Sequence, residues 1–152
     1  MKIDYCNALY FKIHGTLLNK LQHVQNAAAR IIKRKFNMRS IDDVFLEMHW
    51  LRVEERIIYK LVLIAHKCTL GIAPPDLCSM FHFSSLKRLS MLIELRVTTR
   101  FGERAFSHVG PKLWNLLPLQ LKAEKSIPKF KKLLKSHLLL HGQKFIERSQ
   151  LK

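Results

Sequence analysis

The chain reads as a small, mainly α domain of about five to six helices, with a short hairpin or extended segment near residues 92–101. Apolar residues recur at three- and four-residue spacing over most of its length, and glycines and prolines such as Gly15, Gly71, Pro74 and Pro118 punctuate the ends of those runs. At 152 residues and 48% apolar composition, the chain suffices for one core and falls short of two, so residues 1–152 are taken as a single domain.

Asp4 to Ile13 is rich in large apolar residues and predicts a helix that Gly15 separates from the next segment. From Thr16, an available N-cap, to Lys35 the residues Leu17, Leu21, Val24, Ala28, Ile31 and Ile32 follow a helical period with no proline among them. Ser40-Ile41-Asp42-Asp43 has the form of a capping box with Asp in place of Glu, opening a short helix through Val44, Phe45 and Met48. Val53, Ile57, Leu61, Ile64, Ala65 and Cys68 share one face of a longer helix over 53–70, with Gly71 as its C′ residue and Pro74-Pro75 beyond. In 82–101 the alternation of Ile93, Leu95 and Val97 with Glu94, Arg96 and Thr98 is strand-like. A short helix is predicted from Phe106 to Leu117, bounded by Pro118. A last one is capped by Ser126 and runs to about Leu140, with Phe130, Leu133, Leu134, His137 and Leu138 opposite Lys125, Lys129, Lys132 and Lys135.

The charge narrows the function. Twenty-seven Lys and Arg against 11 Asp and Glu give a formal net charge of +16, more than solubility requires and costly in self-repulsion. Residues 1–40 hold eight basic and one acidic side chain, 41–80 four and six, and 81–152 fifteen and four. An anionic partner follows, RNA or DNA first, because a polyphosphate gains from each cation through counterion release. The candidate phosphate contacts are Lys33, Arg34 and Lys35 at the end of the 16–35 helix, where cations also suit the helix dipole, and Lys125, Lys129, Lys131, Lys132 and Lys135 on the last helix.

Catalytic chemistry finds little support. Asp42-Asp43 and Glu54-Glu55 are first-turn acids whose structural use as cap and dipole partners outweighs a metal role. His137 and His141 have i, i+4 spacing but no third ligand. Ser107 and His108 are sequence neighbours, poor geometry for a nucleophile and its base. Cys6, Cys68 and Cys78 are too widely spaced for a metal-binding pair, and their odd number suits a reducing compartment. No cofactor, metal or small-molecule substrate is expected. No apolar run approaches the ~20 residues of a membrane span, so an intracellular protein, nuclear or cytoplasmic, is expected. Trp50, Phe106 and Trp114 lie in apolar neighbourhoods and are read as core.

Six segments, in order, then resemble one family. Leu21-Gln22-His23-Val24-Gln25-Asn26-Ala27-Ala28-Ala29-Arg30, His49-Trp50-Leu51-Arg52-Val53 with Arg56 and Lys60, and Gly71-Ile72-Ala73-Pro74 are the first three. Phe101-Gly102-Glu103-Arg104-Ala105-Phe106-Ser107, Gly110-Pro111-Lys112-Leu113-Trp114-Asn115-Leu116-Leu117-Pro118 and Phe130-Lys131-Lys132-Leu133-Leu134-Lys135 complete the set. Together they resemble the region that follows the polymerase domain in non-LTR, LINE-type, jockey-like retrotransposon reverse transcriptases. The sequence departs from that pattern at Arg52, where a proline is usual, and at Pro75-Asp76. The resemblance implies a parent RNA-directed DNA polymerase whose catalytic carboxylates lie upstream, so no catalytic residue carries over, and a tail that meets nucleic acid and the polymerase core of the parent protein. It singles out Gln25, Asn26, Arg30, Trp50, Arg56, Gly102, Arg104, Phe106, Trp114, Asn115 and Pro118 as motif residues of structural character. The alternative is a truncated structural or interaction remnant with no activity of its own; an exposed apolar patch on the central helices would favour that reading or a partner-dependent state.

Overall fold

A computed structural model describes residues 7–34, 40–84, 91–99 and 101–150. Seven α-helices and no strand are found among them: α1 (Gly15–Lys33), α2 (Asp42–Glu47), α3 (Val53–Thr69), α4 (Pro75–Cys78), α5 (Phe106–Asn115), α6 (Leu119–Ala123) and α7 (Ile127–Gln150). The mainly α expectation holds. The count exceeds it because α4 and α6 are single turns of four and five residues, too short for periodicity to register and each entered from a proline, Pro74 and Pro118.

The organising element is α3. Its expected stripe is buried except for half-buried Ile64, and Ile58, Val62, Leu63 and His66 are buried as well, so the helix is covered on most sides. Against it pack α1, α5, α7 and the 3-10 turn Asn7–Tyr10. His66 of α3, Trp114 of α5 and Phe130 of α7 form a stacked trio: the His66 and Phe130 rings lie 3.7 Å apart and 5° from parallel, with Trp114 6.0 Å from His66. Trp114 therefore belongs to the core as expected, and Phe106 is half-buried against Phe81.

The α3 C-terminus behaves as the sequence implies. Gly71 has φ +69°, its N–H donates to the Cys68 carbonyl, and the Ile72 N–H donates to Lys67, which is the Schellman pattern. The same pattern closes α2 on a residue less suited to it: His49 takes φ +51°, its N–H donates to Leu46, and Trp50 N–H donates to Phe45. The Trp50 ring packs 6.3 Å from that of Phe45, supplying the apolar contact that accompanies such caps.

Several expectations are corrected. Within Asp4 to Ile13 the described residues form only the short 3-10 turn, and Gly15 opens α1 instead of breaking the chain ahead of it. Thr16 lies inside α1, its hydroxyl 2.9 Å from His14 Nδ1, so it is not the N-cap. Residues 92–99 form no named strand; Leu92 makes one antiparallel bridge to Phe83, and only Leu92 of these eight residues is buried, on the parity opposite to Ile93 and Leu95. The Asn115 side chain substitutes for a pairing strand there: its Oδ1 accepts from Leu92 N–H and its Nδ2 donates to Leu92 O, both at 2.9 Å. The last helix continues ten residues beyond Leu140 to Gln150, burying Gly142, Phe145 and Ser149, while Leu133 is exposed.

The largest departure is in α1. The apolar stripe that identifies the helix faces solvent: Leu17, Val24, Ile31 and Ile32 are 46%, 62%, 64% and 58% exposed. The buried residues are Gln25 and Ala29.

Candidate nucleic-acid interface

The motif glutamines explain why α1 turns that side inward. Arg52 occupies the N-cap of α3 yet carries no side-chain acceptor for the first-turn amides. Gln22 Oε1 of α1 accepts from Val53 N–H at 2.9 Å, and Glu55 Oε2 reaches back to Arg52 N–H at 2.8 Å. Gln25, 1% exposed, donates from Nε2 to the Leu51 carbonyl at 2.9 Å, and Asn26 accepts from Gln22 Nε2. The Arg52 guanidinium pairs with Asp42. These bonds fix the 49–53 connection, and with it the direction of Trp50 and of the first turns of α3.

Beside that connection lies a surface pocket of about 390 Å³ lined by His49, Trp50, Leu51, Arg56, Tyr59, Lys60 and Lys135. Arg56 and Lys60 are one helical turn apart on α3, and Lys135 comes from α7. Trp50 and Tyr59 are half-buried aromatic walls, and burial raises the Tyr59 phenol above its ordinary value, so it stays neutral. No carboxylate is among the described lining residues. Three basic side chains around two rings can accept an anion joined to a flat apolar group, the anion at Arg56, Lys60 and Lys135 and the flat group against Trp50 or Tyr59.

The sequence-predicted cations are dispersed by the fold. Lys33 is engaged, its Nζ 3.0 Å from Glu47 Oε1, so it is not a ready phosphate contact. Arg34 is exposed at the left-handed C-cap of α1, and Lys35 lies outside the described residues. Lys125, Lys129, Lys131, Lys132 and Lys135 are all exposed. At about 100° per residue, Lys129 and Lys132 project from the outer side of α7, whereas Lys131 and Lys135 run along its flank, where Lys135 joins the pocket. The run of lysines is therefore two surfaces, not one ridge. Lys122, a further cation, is occupied: its Nζ donates to the Asn115 carbonyl at 2.9 Å, and burial lowers its pKa.

Lys60 and Tyr59 complete the pocket; the sequence offers Tyr59 as an aromatic between basic segments and Lys60 as part of the second motif segment, and neither is among the expected phosphate contacts. Their i+4 and i+3 spacing from Arg56 was the available signal, hidden because Arg56 read as structural. The remaining motif residues serve the fold. Arg104 donates to the Phe11 and Leu9 carbonyls at 3.1 and 2.8 Å, with Glu103 paired to Lys12 at 3.0 Å, tying the 3-10 turn at 102–104 to the N-terminal segment. Gly102 lies where a Cβ would stand 3.1 Å from Val97 Cβ. Pro118 caps α6, and Arg30 is exposed on α1.

Other groups considered for chemistry are held in structural contacts. The His137 and His141 rings are 5.3 Å apart, with His137 edge-on to Phe145. His108 Nδ1 is 2.7 Å from the Leu95 carbonyl. Burial pushes the Cys68 thiol up to about 11, away from thiolate reactivity. Among the described residues no three His, Cys, Asp or Glu side chains gather as a metal site, and no helix is long and apolar enough to cross a membrane. No protein-family model matches the chain, and neither a curated protein nor a solved structure matches it.

Proposed function

We propose that this chain is a non-catalytic, post-polymerase module of a non-LTR retrotransposon reverse transcriptase, and that it contacts RNA or DNA phosphates through its basic helices. The observation that carries the binding reading is the pocket in which Arg56, Lys60 and Lys135 converge beside Trp50 and Tyr59 with no acid among its described lining residues. A solvated surface excess of charge has no reason to place cations from two helices around aromatic walls. Support for the family reading comes from where the motif residues bond: Gln25 to Leu51 of a second motif segment, Asn115 to Leu92 and Arg104 to Phe11, so residues that resemble the family's motifs join distant parts of the chain. In such a module the contacts position a strand and do not read its bases.

The test is binding of the folded chain to labelled single-stranded RNA and duplex DNA from about 50 to 300 mM salt. Affinity should fall steeply with salt, and Lys60→Gln with Lys135→Gln should reduce the slope of log affinity against log salt by about 0.7 per lost contact on single strands. A folded chain that binds neither probe at the lowest salt would overturn the proposal. That result would favour the second reading, a structural remnant without activity of its own, to which the exposed apolar stripe of α1 lends weight.

A further inference from the structure

The exposed stripe of α1 has a stricter order than an ordinary amphipathic face. Leu17, Leu21, Val24, Ala28 and Ile31 are separated by four, three, four and three residues, which is the a/d seam of two heptads. Leu21 is half-buried against the core, while Leu17, Val24 and Ile31 stand in solvent. The seam spans about 21 Å at 1.5 Å per residue, long enough for a four-turn partner helix.

Its surroundings specify the partner. On one side the seam borders the domain itself, through Leu18 and Gln25. On the other is Lys20, and just past the helix end stands Arg34 at its left-handed C-cap; both are exposed, and no described acidic side chain pairs with either. The sequence of α1 contains no Asp or Glu at all. We propose that this seam is the docking face for an acidic amphipathic helix, whose aliphatic a/d residues cover Val24 and Ile31 and whose flanking carboxylates pair with Lys20 and Arg34. Nucleic acid does not fit this face, because it offers no aliphatic surface and the seam carries no ring on which a base could stack. A second copy fits poorly, since two α1 helices bring no acid to each other's flanks in either orientation.

The probe is a labelled helical peptide of about three heptads with Leu at a and d and Glu at e and g, read by fluorescence anisotropy against the full chain. Three controls accompany it: a scrambled peptide of identical composition, anionic phosphatidylserine vesicles, and sedimentation of the chain alone. The heptad peptide should bind at least about tenfold tighter than the scrambled one, and Val24→Ser with Ile31→Ser should remove about tenfold or more of that affinity. Both positions are exposed, so circular dichroism of the variant should match the parent. Equal binding of the two peptides, or insensitivity to the serine substitutions, overturns the proposal and leaves only charge attraction. Seam-dependent self-association, or seam-dependent vesicle binding in the absence of peptide preference, overturns it in favour of those occupants. An RNA competitor should leave the seam-dependent part of peptide binding intact, which separates this proposal from the nucleic-acid reading.

Discussion

Gly142 lies where α7 crosses the first turn of α3, and a Cβ there would stand 2.7 Å from Glu55 Cδ and 2.9 Å from its Cγ. Glu55 is 8% exposed and is held by its bond to Arg52 N–H, so it cannot simply swing aside. Gly142→Ala should therefore destabilise by about 1–3 kcal/mol despite its gain in helix propensity, as read by chemical denaturation. His66 gives a pH signature. Its Nε2–H donates to the Glu124 carbonyl at 2.8 Å, and burial lowers its pKa below the ordinary histidine value; burial, then the neighbouring His141, lowers that of His137. Below about pH 6.5 the unfolded chain thus binds more protons than the folded one. Stability from these groups is present above that pH and is lost as pH falls through the depressed folded values. The melting temperature should drop on acidification from neutral pH, and His66→Phe should shallow that drop; a flat profile in the parent would refute the assignment. Desolvation raises Glu55 and Glu54, which gives the opposite sign, with stability present below about pH 4.5 and lost as pH rises through their folded values.

Helices α1 and α3 are joined by polar bonds more than by the stripe that makes α1 recognisable. Val53 N–H depends on Gln22 of α1 for an acceptor, so Gln22→Ala should cost about 0.5–2 kcal/mol, the range of a lost N-cap, in a denaturation midpoint. Legibility differs between these two helices for a physical reason. In α3 the apolar stripe lies within the buried face, with Ile64 half-buried, because α1, α5, α7 and the Asn7–Tyr10 turn pack around the helix. In α1 the periodicity announces a helix but not its orientation. Gln25 and Ala29 go inward because an amide that satisfies Leu51 and a methyl that permits close approach are what the neighbouring segment requires. The Trp50 turn was equally unreadable, since a left-handed histidine at position 49 carries none of the signal that glycine carries at 71.

At the scale of the whole molecule, charge becomes recognition only where elements meet. The +16 excess was plain from composition, and the exposed lysines of α7 from periodicity. What composition could not show is that Lys135 would stand with Arg56 and Lys60 beside two rings, since those residues are separated by some eighty positions. Trp50→Ala should thus weaken single-stranded RNA binding by about 1–3 kcal/mol while leaving the salt dependence almost unchanged, because it removes stacking and no phosphate contact. Lys129→Gln and Lys132→Gln, on the outer side of α7, should alter duplex and single-strand binding alike through the salt slope alone. A Trp50 variant that instead flattens the slope would mean that the pocket does not hold the strand as described.

Local physics made the helical class, the extent of α3, its Gly71 stop and the basic face of α7 readable from the chain alone, because spacing, caps and charge act within a few residues of one another. Tertiary structure decided the orientation of α1, the burial of Gln25, the pairing of Lys33 with Glu47 and the convergence of cations beside Trp50 and Tyr59. Those outcomes depend on which elements share a boundary. An unsatisfied amide at the start of α3 or a carbonyl at Leu51 selects its partner across the fold, because a buried polar group left without one costs about 1–3 kcal/mol.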